Sequence, residues 1–119
     1  MTWKLTIGHE SLDGVTVLRV TGRLGTSPSG GLIDAINDAI QTGSRRLLLD
    51  LTGVDYASSA GLMSLDAVSG LMHVARGTLV LCGLTAPVRL ALELSGLLPN
   101  FVIESSPAAA MSRLRAFED

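Results

Sequence analysis

Two adjacent serines, Ser58 and Ser59, are the residues of this sequence best placed to do chemistry. They stand in the stretch Asp50-Leu-Thr-Gly-Val-Asp-Tyr-Ala-Ser-Ser-Ala-Gly-Leu62. There an apolar run, Leu47 to Leu51, gives way to a helical pattern from about Ser59 to Val74. A hydroxyl at a strand-to-helix turn is exposed, and the positive end of the helix dipole beside it favours negative charge. Two kinds of chemistry fit. One is capping, in which a serine oxygen accepts a backbone N–H of the first turn, worth roughly 1 kcal/mol over alanine. The other is acceptance of a phosphoryl group, which adds nearly two negative charges and new acceptor oxygens. The helix would tolerate that charge. A partner docked there through apolar or acidic groups would be repelled by it.

No other constellation competes. His9 and His73 lie far apart, and the stretch between His9 and Asp13 reads as strand and turn, so helical spacing does not bring those two together. His73 falls near a helix end, where a cation is mildly favoured. The lone Cys82 cannot build a zinc knuckle and sits in an apolar run, as a small buried hydrophobe would. There is no Gly-x-Ser-x-Gly elbow, no phosphate-binding loop with its lysine, and no dinucleotide fingerprint. Gly22 to Gly31 is glycine-rich but lacks that lysine. The expectation is a binding protein, not an enzyme, with no cofactor and no metal.

The totals narrow the class further. A chain of 119 residues fits one domain, taken as 1-119. A net charge of −2 argues against nucleic acid. One cysteine excludes an intrachain disulfide and suits a reduced, cytoplasmic compartment. The first residues lack the layout of a signal peptide, and no apolar run approaches the roughly 20 residues of a membrane helix. Aromatic residues are only 3%, so Leu, Val, Ile, Ala and Met must build the core.

The elements that hold the serines follow from periodicity. Trp3 to Glu10 alternates as a strand, Asp13-Gly14 marks a tight turn, and Val15 to Thr21 reads as the second strand of a hairpin. Gly22 to Gly31 reads as a loop, with Ser27 capping and Pro28 opening a helix that carries Leu32, Ile33, Ile36, Ala39 and Ile40 on one stripe. Gly43 stops it. Arg45 to Leu51 does not alternate, as expected of a strand buried on both faces. After the second helix, which Arg76-Gly77 ends, Thr78 to Cys82 is another buried strand. Pro87 opens a third helix with Val88, Leu90, Ala91 and Leu94, and Gly96 stops it. Phe101 to Ile103 is a short strand, and Pro107 opens a last helix through about Phe117, with Arg113 and Arg115 complementing its dipole. The order β-β-α-β-α-β-α-β-α predicts an α/β fold: a central, mostly parallel sheet, an antiparallel N-terminal edge hairpin and about four helices.

On the second helix, Leu65 defines a stripe with Gly61, Leu62, Val68, Ser69 and Met72 that should face the sheet. Met63 falls on the opposite side with Ala67 and Gly70, and Asp66 flanks it. An outward methionine among small residues fits an adaptable binding surface.

The run Leu48-Leu-Asp-Leu-Thr-Gly-Val-Asp-Tyr-Ala-Ser-Ser-Ala-Gly-Leu62 resembles the signature of STAS domains, specifically the anti-sigma factor antagonists. Val20-Thr-Gly-Arg-Leu24 and Leu79-Val-Leu-Cys-Gly83 fit as well, so the resemblance covers essentially the whole chain. It implies a switch without catalysis by this protein. The unphosphorylated antagonist binds an anti-sigma factor, a serine kinase of the histidine-kinase-like ATPase type. The kinase uses ATP and magnesium to phosphorylate a serine at the start of the second helix, which breaks the complex, and a PP2C-type phosphatase restores it. The chain departs from the common pattern twice. Ser58 takes the place of an Asp, and Ala60 takes a position that is phosphoserine in some members. Ser59 matches the serine modified in others, so it is the expected phosphorylation site, with Ser58 second. Gly25 stands where members usually carry Asp. The expected partner surface is Ser58, Ser59, Ala60, Gly61, Met63, Asp66 and Ala67, with Gly25 and Thr26 of the loop. The free protein is expected to be monomeric. The alternative is a STAS-like scaffold or accessory subunit of a transport or stress-signalling assembly, in which the serines merely cap.

Overall fold

The Asp13-Gly14 turn sets the first pairing. Asp13 (φ 51°) and Gly14 (φ 77°) both adopt left-handed backbone, the conformation that matches the twist of a two-residue hairpin. It joins β1 (Thr6–Leu12) to β2 (Val15–Leu24) in an antiparallel ladder, with Leu12 opposite Val15. The computed structural model describes residues 5–25 and 31–115. Trp3, Thr26, Ser27, Pro28 and Phe117 therefore lie outside the described residues.

The remaining elements follow in sequence: α1 (Gly31–Gln41), β3 (Arg46–Ala57), α2 (Ser59–Val74), β4 (Thr78–Cys82), α3 (Ala86–Ser95), β5 (Val102–Glu104) and α4 (Pro107–Arg115), with a 3-10 turn at Leu98–Asn100. The sheet order is β1-β2-β3-β4-β5, parallel from β2 onward. This is the α/β arrangement expected, with its antiparallel edge hairpin. Three successive crossovers step the same way across the sheet. Right-handedness then puts α1, α2 and α3 on one face. Their buried residues Ile36, Leu65 and Val88 pack with Leu18, Leu49 and Leu81 of the strands. On the other face α4 lays Ala110, Met111 and Leu114 over Val15, Val17, Leu48, Val80 and Cys82. Leu47, Leu48 and Leu49 are all buried because consecutive side chains enter the two cores alternately.

The strands leading to the serines are longer than periodicity suggested. β2 continues from Thr21 to Leu24, and β3 from Leu51 to Ala57. Two register shifts against β2 hide the extension. Arg19 pairs with Asp50 but Thr21 with Gly53, and Gly22 pairs with Val54 but Arg23 with Tyr56. Each adds one residue to β3. The first shift lets Val54 rejoin the core that Leu47, Leu49 and Leu51 face, although its parity is wrong. The Asp50 carboxylate accepts the Thr52 N–H at 3.0 Å and the Thr52 hydroxyl at 2.5 Å, a local turn inside the strand. The third helix also differs in its stripe. Val88 and Leu92 are buried, whereas Leu90 and Leu94 are exposed. The two i,i+4 pairs point nearly opposite ways, and only one can face the sheet.

Cys82 is fully buried under α4. Burial, with the Asp50 carboxylate beside it, pushes its thiol up from the ordinary 9.0 to about 12. The folded chain thus holds the thiol neutral where the unfolded chain would ionise it. That contribution is fully present below pH 9.0 and is lost as pH rises towards about 12. Urea unfolding of wild type should therefore lose stability across that window more steeply than Cys82→Ala. At pH 8 a thiol reagent should label the native protein only as fast as it opens. Rapid labelling of the folded chain would contradict the placement of Cys82.

Candidate functional site

β3 and β2 end side by side, with Ala57 opposite Leu24. The chain then turns into α2. The Ser58 N–H donates to the Leu24 carbonyl at 2.8 Å, which pins the turn to the end of β2. Ser58 has extended backbone (φ −79°, ψ 173°) and is the N-cap of α2. Its Oγ accepts the Gly61 N–H at 3.1 Å, and its carbonyl accepts the Leu62 N–H at 2.9 Å. Of the two serines that could cap, Ser58 does so.

Ser59 is the first residue of α2 and is exposed. Among the described residues its hydroxyl has no hydrogen-bond partner. The pair is thus divided: one serine holds the helix and the other presents a free hydroxyl. Gly25 lies beside the cap, with a Cβ there falling 3.6 Å from the Ser58 Oγ. A phosphate on Ser58 would engage the oxygen that caps α2. Ser59 carries no such commitment.

Gly61 is required by the close approach of helix and strand. A Cβ at Gly61 would fall 2.4 Å from the Leu24 carbonyl oxygen and 2.6 Å from its carbon. The strand end therefore lies directly under the first turn of α2. Leu62 and Leu65 then enter the core, while Met63 is 71% exposed. Asp66, Ala67 and Gly70 are exposed on the same side, as the helical spacing predicts. Ala60 is half-buried, and its carbonyl accepts the Ser64 hydroxyl at 3.1 Å. The structure thus brings Gly25, Ser58, Ser59, Ala60 and Gly61 together at one end of the sheet. Met63, Asp66 and Ala67 continue the surface along α2, and Thr26 falls outside the described residues.

The electrostatics favour an anion at this end. α2 has no acidic residue in its first turn, so its N-terminal dipole is unopposed by its own side chains. Arg23, opposite Tyr56 in the ladder, stacks its guanidinium 4.1 Å from the Tyr56 ring centre. Sequence reasoning passed over that pair, which becomes visible only once the extended β2 and β3 are in register. It also passed over Val74, 83% exposed on the outward side of α2. Its position on a helical wheel, continuing Met63, Ala67 and Gly70, would have found it. Among the described residues no group of three or more His, Cys, Asp or Glu side chains could hold a metal ion. No described helix is long and apolar enough to cross a membrane.

The chain matches the family model of the STAS domain over residues 7–110. It is 33% identical over 112 residues to BtrV of Bordetella bronchiseptica, whose name describes an anti-sigma factor antagonist. That match covers 94% of this chain and 95% of BtrV. The crystal structure of an anti-sigma factor antagonist from Mycobacterium paratuberculosis superposes with a TM-score of 0.83 at 25% identity, covering 94% of this chain and 95% of that one. The anti-sigma factor antagonist SpoIIAA in its unphosphorylated form shares the fold, with a TM-score of 0.78 at 19% identity, covering 96% of this chain and all of that one (100%).

The division of labour between the serines has a measurable consequence. Ser58→Ala should cost about 1 kcal/mol in urea unfolding, the worth of a cap. Ser59→Ala should stay within about 0.5 kcal/mol of wild type, as an exposed substitution does. Gly61→Ala should cost more than either, about 1–3 kcal/mol, because the backbone of Leu24 must move. Equal losses for Ser58→Ala and Ser59→Ala would refute the assignment of the cap.

Proposed function

The chain belongs to the STAS domain family, and from that membership we propose that it is an anti-sigma factor antagonist switched by phosphorylation of Ser59. One observation carries the choice of residue: Ser58 is committed to the cap while the neighbouring hydroxyl of Ser59 stands exposed and unpaired. The unphosphorylated form binds an anti-sigma factor that is also a serine kinase of the histidine-kinase-like ATPase type. That kinase brings ATP and magnesium; this chain supplies only the acceptor hydroxyl. The partner rests on the end formed by Gly25, Ser58, Ser59, Ala60 and Gly61, and on Met63, Asp66 and Ala67. A PP2C-type phosphatase removes the phosphate and renews binding. The protein works in the cytoplasm, as a monomer when free.

The physical argument for release is one of charge and water. An apolar contact over Met63 gains by excluding water, at about 25 cal/mol per Å² of buried apolar surface. A phosphate dianion one helical turn away must keep its hydration or find a cation. Within the chain it is tolerated, because it sits at the positive end of α2. In the complex it is buried against the partner. Phosphorylation therefore weakens docking without unfolding the antagonist.

Incubation with anti-sigma factor kinases of the source genome and ATP, followed by intact mass and site mapping, tests this reading. One phosphate on Ser59, and none on Ser59→Ala, is expected. Ser59→Asp should bind the same kinase at least about tenfold more weakly than wild type, a change of roughly 1.4 kcal/mol. Lack of incorporation with every such kinase, together with unchanged binding by Ser59→Asp, would point instead to the scaffold role.

A further inference from the structure

The sheet separates two cores that share no residue. On one face, strand residues such as Leu18, Leu49 and Leu81 pack under α1, α2 and α3. On the other, Val15, Val17, Leu48, Val80 and Cys82 lie under α4 alone, which contributes Ala110, Met111 and Leu114. The four strand pairings are complete without α4. The second core is therefore an addition to a body that already has its own.

The attachment of α4 is slight. The helix is nine residues long, too short to keep its helical form in water on its own. Among the described residues it is further held by Arg113, which donates to the Glu104 carboxylate at 2.5 Å, and by Arg115, which donates to that of Asp13 at 2.8 Å. Arg46 also donates to the Leu114 carbonyl at 3.4 Å. The side chains of Arg113, Arg115 and Asp13 are 46%, 51% and 66% exposed, so water and salt screen both ion pairs and each adds little. Apolar burial is the main hold, and it rests on three side chains of the helix. Undocking frees the backbone and rotamers of nine residues, which offsets much of the burial lost.

We infer that α4 is a strap that leaves the sheet as a unit while the five strands and the other three helices stay folded. Its opening bares an apolar strip made by Val15 and Val17 of β2, Leu48 of β3, and Val80 and Cys82 of β4. The Ser58–Ser59 end is built from β2, β3 and α2, with no part from α4, so the opening leaves it in place. The molecule thus carries two separate devices: an acceptor hydroxyl at one end of the sheet and a strap across the opposite face.

Cys82 reports on the strap, because it is the only cysteine of the chain, is fully buried and lies under α4. The full chain is labelled with a thiol reagent at pH 8 in rising, sub-denaturing urea, at reagent concentrations to which the rate is proportional. Protection is measured against the denatured chain. Wild type should label at least about tenfold faster than its global unfolding equilibrium allows. The urea dependence should be less than about a third of the global slope, since only α4 and the strip beneath it gain exposure. Leu114→Ala should speed labelling about tenfold or more, and Met111→Ala should do the same should Leu114→Ala fail to fold. Val88→Ala removes packing from the other core, which the open form retains. It should lower the urea midpoint yet leave labelling without urea within about twofold of wild type. Labelling that rises in Val88→Ala by the same factor as its global unfolding constant, with the full urea slope, would overturn the strap. So would unchanged labelling in both α4 variants.

Discussion

The carbonyl of Leu24 is the fixed point of this molecule's working end. It accepts the Ser58 N–H at 2.8 Å and lies where a side chain on Gly61 would have to be. These two facts bind the end of β2 to the first turn of α2 with no room to adjust. The helix must start at that spot, with Ser58 as its cap and Ser59 turned to solvent. Once α2 starts there, 3.6 residues per turn decide the rest. Leu62, Leu65, Val68 and Met72 enter the core, and Met63 cannot. The exposed methionine is thus a geometric consequence of the same contact that frees the serine.

Much of this was legible in the sequence because it rests on local rules. The continuous Leu47-Leu48-Leu49 run requires two covered faces, and the structure supplies α2 and its neighbours on one and α4 on the other. The Asp13-Gly14 turn and the Gly96 stop, with φ 78°, need nothing beyond their own backbone preferences. The spacing of α2 separated Leu65 from Met63 correctly. What was not legible depends on partners distant in sequence. The two extra residues in β3 are defined only against β2, so the strand reading from the sequence stopped at Leu51. In α3, the pairs Val88 with Leu92 and Leu90 with Leu94 are equally apolar, and only the sheet chooses between them.

The candidate site shows the same divide. The serines could be found by type and by their place before a helical pattern, but their roles could not. Either one could cap on sequence alone. The choice depends on where the chain leaves β3, and that in turn depends on the Asp50–Thr52 turn and the bulge it supports. A strand one residue shorter or longer would hand the cap to a different residue. Gly25 illustrates the converse. Its place beside the Ser58 hydroxyl sets a residue without a carboxylate against the cap. The negative charge that a phosphate would bring therefore meets no fixed anion at Gly25.

The proposed switch needs its added charge outside the core's reach, and exposed Ser59 meets that need. The nearest core residue on α2 after Ser59 is Gly61, which lies against Leu24, and the large apolar side chains begin at Leu62. A dianion on Ser59 adds no buried charge and faces the positive end of the helix, where it is mildly favourable. In the proposed complex, its cost falls on the partner that covers Met63. In the proposed switch, stability and affinity respond to different sides of one helix: the inward side answers to packing, and the outward side, with exposed Met63, Asp66, Ala67 and Gly70, answers to docking. An ordinary surface helix would carry charges there, as α3 carries Arg89 and Glu93. On α2 such charges would add a few tenths of a kcal/mol as i,i+4 pairs and would break up the surface proposed for docking.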